Sequence, residues 1–208
     1  MKEDFQVGLF DLDGVVLDTE SQYSVFWGNI GREYFPAVPD FSWRIKGQTL
    51  TQILDGWFAG QQAAQQEVVR RLNDYEQQMC FPYIAGAEAY LKYLRARDIR
   101  TAVVTSSNHP KMAQVERQHP ELSELFDIIL TSEDFTASKP SPDCYLLGAR
   151  HFGVAPRECV VFEDSLNGLR AARAAGCYVV GLATTLPPEE VAPLADSVIP
   201  DFTTLLPA

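Results

Sequence analysis

The stretch VGLFDLDG at positions 7–14 constrains the chain more strongly than any other. It begins as a short apolar run, which is typical of a buried strand, and then places Asp11 and Asp13 one residue apart, directly before Gly14. Asp is depleted in strand interiors, and a buried carboxylate needs a partner or a metal. We therefore expect the two aspartates at the C-terminal end of the strand, which is the edge where ligands bind in open α/β sheets.

The spacing of the two aspartates indicates a reactive site at this edge. Because side chains alternate along a strand, Asp11 and Asp13 are expected to point the same way until Gly14 lets the backbone turn. Two carboxylates that converge on one crevice can bind a divalent cation and can divide the roles of nucleophile and acid/base group. The alternative interpretation is an ordinary polar strand end followed by a turn.

Strand-like and helix-like segments alternate from about residue 82 onward. The predicted strands are 100–104, 126–130, 159–162, 178–181 and 197–199, and the predicted helices are 87–97, 109–118, 142–152 and 166–175. Such alternation implies a parallel sheet covered by helices on both faces, and the strand at the start of the chain belongs to the same sheet.

Residues 20 to about 80 follow a different pattern. Apolar and aromatic residues recur there at helical spacing, and no convincing strand is present. We therefore predict that residues 1–17 and 84–208 form an α/β core domain. Residues 18–83 are predicted to form a helical domain inserted into it, which closes over the core about hinges near residues 17–20 and 80–86.

Composition excludes several classes of function. The formal net charge of −11 argues against nucleic-acid and anionic-membrane partners, but not against a small anionic substrate in a cleft. No signal-peptide pattern and no apolar run long enough to span a bilayer is visible. The four cysteines lack metal-ligand spacing and are expected to be reduced, packed thiols. We therefore expect a cytoplasmic protein, and we take a monomer as the default because the sequence does not fix the oligomeric state.

Two further polar groups follow predicted strands. Thr105-Ser106-Ser107-Asn108 offers hydroxyl and backbone N–H groups at the start of a helix, which suits an anion, although helix N-capping also explains it. Glu163 and Asp164 form an acidic pair after residues 159–162. Capping by Asp164 or Ser165 is one interpretation, and an oxygen-ligand set that suits Mg²⁺ together with Asp11 is the other.

Lys139 lies in the proline-rich segment ASKPSPD, residues 137–143. A single lysine is normally a solvated surface charge, but the flanking prolines stiffen this segment and would fix where the side chain points. A cation held over the two aspartates would neutralise phosphate charge and reduce the repulsion between carboxylates.

Taken in order, these four stretches resemble the haloacid dehalogenase-like (HAD) superfamily. The segment DLDGV at 11–15 resembles its first motif, Thr105 the second-motif hydroxyl, Lys139 the third-motif lysine and Glu163-Asp164 the fourth-motif acidic pair. The segments DTE at 18–20, KPSPD at 139–143 and EDSLNG at 163–168 resemble the β-phosphoglucomutase/phosphatase branch. The resemblance covers nearly the whole chain and implies an α/β fold: a Rossmann-like parallel sheet core with an inserted α-helical cap domain.

The resemblance also implies a hydrolase that cleaves a small phosphorylated metabolite through an aspartyl-phosphate intermediate. In this scheme Asp11 is the nucleophile, whereas Asp13 protonates the leaving oxygen and then activates water. Dehalogenation is not expected, because dehalogenases of this superfamily do not keep an acid/base Asp at the position of Asp13.

The same resemblance implies a ligand set for Mg²⁺ and for phosphate. Mg²⁺ would be bound by Asp11, the backbone carbonyl of Asp13 and Asp164, with Glu163 as a ligand directly or through water. The phosphate would be held by Thr105, Ser106 and Lys139.

Two positions in the cap bear on the choice between phosphatase and mutase. In the sugar mutase, the third residue after a Lys-Gly pair in the cap is an arginine. In this chain Lys46-Gly47 is followed by Gln48, Thr49 and Leu50, and a leucine cannot bind a second phosphate. The sugar mutase also has a histidine at the position of Tyr23 in this chain. We therefore favour hydrolysis, with a β-phosphoglucomutase-type mutase and a non-catalytic HAD scaffold as alternatives. Tyr23, Gln48 and Thr49 are either substrate contacts or ordinary surface and core of the cap.

Overall fold

Six parallel strands form one sheet in the computed structural model, which describes residues 5–207. The strands are β1 (Val7–Phe10), β2 (Arg100–Val104), β3 (Ile128–Leu130), β4 (Cys159–Glu163), β5 (Tyr178–Leu182) and β6 (Ser197–Ile199). Their order is β3-β2-β1-β4-β5-β6, which is that of a doubly wound Rossmann-type sheet. Strand β1 is central, with Leu9 in register with Ala102 and Val161. The α/β prediction is confirmed.

Helices cover both faces of the sheet. In the described part of the core they are α5 (Ala87–Arg95), α6 (His109–Gln118), α7 (Leu122–Leu125), α8 (Asp143–His151), α9 (Leu166–Ala175) and α10 (Pro188–Val191), with 3₁₀ turns at Pro156–Glu158, Ala192–Leu194 and Phe202–Leu205. Alternate residues of β1 enter opposite cores: Phe10 stacks on Phe162 on one face, whereas Leu9 packs with Tyr145 on the other.

Small differences from the predicted boundaries have local causes. Helix α5 ends two residues early, because the chain turns through Asp98 with a φ of 56°. Strand β3 begins two residues late, because the Asp127 carboxylate accepts the N–H of Thr101 at 2.7 Å before the ladder starts. The predicted bounds 109–118 and 166–175 agree with α6 and α9.

The inserted segment is helical, as its periodicity predicts. Its helices are α1 (Glu20–Tyr34), α2 (Phe41–Arg44), α3 (Leu50–Trp57) and α4 (Gln62–Glu76), and they enclose a separate aromatic-rich core that includes Phe26, Phe41 and Phe58. The two chain segments that join this cap to the sheet domain lie side by side, since Asp18 N–H donates to Pro82 O at 2.8 Å. The exact domain boundaries stay a prediction.

The cap is docked on the core. The Gln52 side chain of α3 donates to Lys139 O at 3.2 Å, and the Asn167 side chain of α9 donates to Gly47 O at 3.3 Å. Among residues 5–207, no helix combines the length and the apolar character that crossing a bilayer requires. Of the cysteines, Cys80 is exposed, whereas the other three are buried.

Candidate active site

The turn after β1 brings the first motif against the fourth. Asp11 N–H still donates to Phe162 O at 3.0 Å, so Asp11 extends the ladder by one bond before the chain turns. Gly14 has a φ of 74°, and a Cβ at this position would lie 2.1 Å from Asp164 Oδ2. A side chain is therefore excluded at position 14 both by backbone conformation and by the carboxylate that packs there.

Lys139 is buried between two carboxylates. Its Nζ donates to Asp11 Oδ1 at 2.9 Å, to Glu163 Oε1 at 2.6 Å and to Val104 O at 3.2 Å, so all three N–H groups have acceptors. Burial alone favours the neutral amine, but the charges of Asp11 and Glu163 outweigh it and raise the pKa of Lys139. Lys139 is therefore a fixed cation beside Asp11, as the flanking prolines suggest.

Glu163 is held by a complete set of donors. Besides Lys139, its Oε1 accepts from the Tyr145 hydroxyl at 2.9 Å. Its Oε2 accepts from the backbone N–H groups of Asp164 and Ser165 and from the Ser165 hydroxyl, at 2.9, 3.0 and 3.2 Å. Glu163 is therefore the carboxylate that anchors Lys139.

Asp11, Glu163 and Asp164 form a buried acidic cluster. One carboxylate oxygen of each lies within 4.8 Å of the other two. Burial raises the pKa of Asp11 to about 7, with the charges of Glu163 and Asp13 in support and Lys139 opposing. Burial also raises the pKa of Asp164 well above its usual range.

The acidic cluster suits a hard divalent cation. Lys139 alone leaves the three carboxylates with surplus negative charge, and Asp164 Oδ1 is buried without a hydrogen-bond partner among the described residues. A buried polar atom without a partner is costly, and oxygen ligands are those that Mg²⁺ prefers. The residues present therefore fit the expected metal.

Asp13 lies in a separate polar environment. Its Oδ1 accepts from the Thr19 hydroxyl at 2.5 Å and its Oδ2 from the Ser107 hydroxyl at 2.9 Å, while Lys111 Nζ lies 2.5 Å from both oxygens. Burial opposes ionisation of Asp13. The positive charge of Lys111 and the hydrogen bonds from Lys111, Thr19 and Ser107 outweigh burial and lower the pKa of Asp13. In the metal-free site Asp13 is thus held as a carboxylate, whereas burial favours the protonated form of Asp11.

The loop after β2 lies beside both aspartates. Thr105 is buried, and its Oγ1 accepts the N–H of Ser107 at 3.0 Å, which leaves the hydroxyl proton available to donate. Asn108 caps α6 by accepting the N–H of Lys111 at 3.0 Å. The capping interpretation thus holds for Asn108, while Thr105 and Ser106 line a cavity between the core and the cap.

A cavity of about 530 Å³ lies between core and cap. Core residues Asp11, Asp13, Thr105, Ser106, Lys139 and Asp164 line it, and so do the predicted cap residues Tyr23, Gln48 and Thr49. Thr49 also has a structural role, since its side chain accepts from Gln52 N and the Gln52 side chain accepts from Thr49 N in a capping box at the start of α3. Cavity residue Glu76, on α4, accepts the Tyr23 hydroxyl at 2.8 Å.

The sequence reasoning missed four residues that hold the predicted groups: Thr19, Lys111 and Ser107 around Asp13, and Tyr145 beside Glu163. A signal existed for Lys111. It lies four residues before the buried Val115 and next to the buried Met112, so it is a charged residue on the apolar face of α6. Thr19 and Ser107 lie in the segments DTE and TSSN that the sequence analysis singled out for other roles, whereas Tyr145 carries no comparable pattern.

Comparisons with known proteins agree with the geometry. Residues 6–176 match the model of the haloacid dehalogenase-like hydrolases. The chain is 34% identical over 179 residues to hexitol phosphatase A of Escherichia coli (strain K12), covering 84% of this chain and 81% of that protein. It is 28% identical over 193 residues to beta-phosphoglucomutase of Bacillus subtilis (strain 168), covering 86% and 84%. The crystal structure of HAD hydrolase, family IA, variant 3 from Entamoeba histolytica HM-1:IMSS has a TM-score of 0.83 at 22% identity, covering 97% and 95%.

The fold and the site define a hydrolase with two aspartates at the end of its central strand. The chain belongs to the haloacid dehalogenase-like hydrolase family, and it is a hydrolase of phosphoric monoesters. The family resemblance read from the four motifs is confirmed.

Proposed function

We propose that this chain hydrolyses a small sugar or polyol phosphate in a Mg²⁺-dependent reaction that passes through a phosphorylated Asp11. The observation that supports this most directly is that Asp11 and Asp13 line one cavity together with Lys139 and Thr105, while the cap closes that cavity above them. The similarity to a hexitol phosphatase supports a hydroxyl-rich leaving group.

The buried acidic cluster is the proposed metal site. Asp11 and Asp164 would bind Mg²⁺ with the backbone carbonyl of Asp13, and Glu163 would act through water. When bound, the ion supplies positive charge that offsets the repulsion between a carboxylate nucleophile and a phosphate dianion.

The residues of the chain divide the reaction into two displacements. Asp13, a carboxylate in the free site, takes up a proton from solvent or from the substrate monoanion as the substrate binds. An Asp11 oxygen then attacks phosphorus, the ester P–O bond breaks, and the leaving oxygen takes that proton from Asp13. Water then attacks the phosphorus of the acyl phosphate, Asp13 takes the water's proton, and the bond to Asp11 breaks to release phosphate. Lys139 and Thr105 hold the phosphoryl oxygens, with Ser106 beside them, and the cap excludes bulk water.

The charges in the cavity favour hydrolysis over mutase chemistry. A bisphosphate intermediate needs a cation in the cap for its second phosphate. Among the described residues that line the cavity, the cap lysine is Lys46, and its Nζ already pairs with Glu20 at 2.8 Å. Gln48, Thr49 and Leu50 follow it with no charge. The leaving group is therefore expected to be uncharged.

The test is phosphate release from a panel of hexitol phosphates, sugar phosphates and other phosphomonoesters, with Mg²⁺ or with a chelator. We expect Mg²⁺-dependent release that Asp11→Asn abolishes. β-Glucose 1-phosphate with catalytic glucose 1,6-bisphosphate is assayed in parallel for glucose 6-phosphate. Isomerisation faster than phosphate release would establish the mutase instead, and no turnover of any phosphomonoester would favour a non-catalytic scaffold.

A further inference from the structure

Lys111 occupies a position that does not favour a lysine for folding alone. It is in the first turn of α6, where the helix dipole favours anions over cations. It is 4% exposed, although lysine is almost never fully buried unless it is paired. Its backbone N–H is held by the Asn108 cap, so the origin of the side chain is fixed.

The buried ammonium group of Lys111 joins the core to the cap. It lies 2.5 Å from both Asp13 oxygens and 4.5 Å from the ring centroid of Tyr23, which belongs to cap helix α1. The Tyr23 hydroxyl donates in turn to Glu76 on cap helix α4. Burial raises the pKa of Glu76, and the charge of Lys111 opposes that shift.

We infer that Lys111 is a positioning residue that holds the Asp13 carboxylate toward the leaving oxygen, and that the cap holds Lys111 through Tyr23 and Glu76. The inference rests on the proposed phosphatase function, because Asp13 needs a fixed orientation only if it transfers a proton. Cap docking then determines the orientation of the acid/base group. Thr19 and Ser107 still hold Asp13 when Lys111 is removed, so the carboxylate is expected to remain in the site with less constraint.

The test compares Lys111→Met with Lys92→Met in the full chain. Lys92 is a matched control: its Nζ pairs with Glu88 at 2.7 Å, but its side chain is 63% exposed and lies outside the site. Two substrates separate the roles. An alkyl phosphate such as a hexitol phosphate needs a proton on its leaving oxygen, whereas p-nitrophenyl phosphate releases a phenolate that leaves without one.

We expect Lys111→Met to lower kcat for the alkyl phosphate by about 10- to 100-fold with KM within about twofold, because small misplacement of a catalytic group costs rate rather than binding. The burst of nitrophenolate in the first turnover should stay within about threefold of the wild type, since this step needs no general acid. Lys111→Arg should recover part of the loss, and Lys92→Met should match the wild type.

The role of the cap is tested with Glu76→Gln, which keeps an acceptor for Tyr23 but removes the charge that faces Lys111. It should lower kcat for the alkyl phosphate in the same selective way, and its effect should shrink in the Lys111→Met background, because Glu76 is expected to act on Asp13 through Tyr23 and Lys111. This variant also carries the test if Lys111→Met does not fold.

The outcomes separate this inference from the proposed function. Wild-type turnover with Lys111→Met unchanged would show the positioning role to be wrong and leave the function standing. Equal losses for the alkyl and aryl substrates, or no recovery by Lys111→Arg, would make the ion pair purely structural and overturn the inference. A wild type without phosphatase activity would overturn the function and the inference together.

Discussion

Replacing Gly168 with alanine tests the packing around Glu163 directly. Gly168 is in the first turn of α9, and an alanine Cβ there would lie 1.6 Å from Glu163 Oε1 and 1.9 Å from its Cδ. These atoms cannot overlap, so the carboxylate or the helix must move. Because Glu163 anchors Lys139 at 2.6 Å, the displacement is expected to reach the cation beside Asp11.

The size of the effect follows from three contributions. Alanine in place of glycine in a helix gains about 1 kcal/mol. Overpacking a filled site costs about 1–3 kcal/mol, and parting Glu163 from Lys139 adds a share of the roughly 3–5 kcal/mol lost when a buried ion pair is broken. We expect a net loss of about 2–4 kcal/mol, which lowers the Tm of a chain of this size by roughly 5–15 °C.

Gly28→Ala is the matched control. Gly28 lies in the interior of α1, where the nearest atom to a new Cβ is Arg32 Nη1 at 3.7 Å, an ordinary contact. Thermal unfolding and phosphatase assays on both variants should show an unchanged or raised Tm for Gly28→Ala, and a lowered Tm with a kcat reduced at least about tenfold for Gly168→Ala. If Gly168→Ala melted with the wild type and kept its activity, the packing of Glu163 against α9 would be refuted.

Two further predictions concern the charges at Asp11. Lys139→Met leaves Asp11 and Glu163 without their shared cation. Urea unfolding should therefore show a free energy of unfolding lower by about 3–5 kcal/mol, and activity should fall to background. An unchanged free energy of unfolding would contradict the buried cluster. With the metal removed by a chelator, the pKa of Asp11 is raised from its ordinary value of 3.8 to about 7. Asp11 therefore stabilises the folded state fully below pH 3.8, and this contribution is lost as the pH rises to about 7. The stability of the wild type relative to Asp11→Asn should therefore decline between these pH values, and Mg²⁺ should raise the wild-type Tm more at high pH than at low pH, because metal ligands must be deprotonated. A difference that is independent of pH would be evidence against the raised pKa.

Much of the fold could be predicted because its signals are local. Helix α6 is bounded by Asn108 at its N-cap and has Pro110 in its first turn, while α9 runs from the Ser165 cap to Gly176 in the left-handed conformation. Alternation of such helices with short apolar strands indicates a parallel sheet. The convergence of Asp11 with the other motifs then follows, because the carboxyl ends of parallel strands share one edge. Cytoplasmic localisation and a monomeric state stay predictions.

The environment of Asp13 could not be predicted in the same way, because two of its three direct partners, Ser107 and Lys111, come from a segment far along the chain. Lys111 lies 98 positions along the chain from Asp13, and Tyr23 and Glu76 reach it only because the cap docks on α6. That docking depends on how the whole helical segment packs, which periodicity does not specify. The nucleophile side of the site is therefore fixed by the sheet, whereas the acid/base side is held by the loop after β2 and by α6, which contacts the cap through Lys111 and Tyr23. Substitutions within the cap that leave its own core intact should accordingly alter proton transfer at Asp13 before they alter the fold.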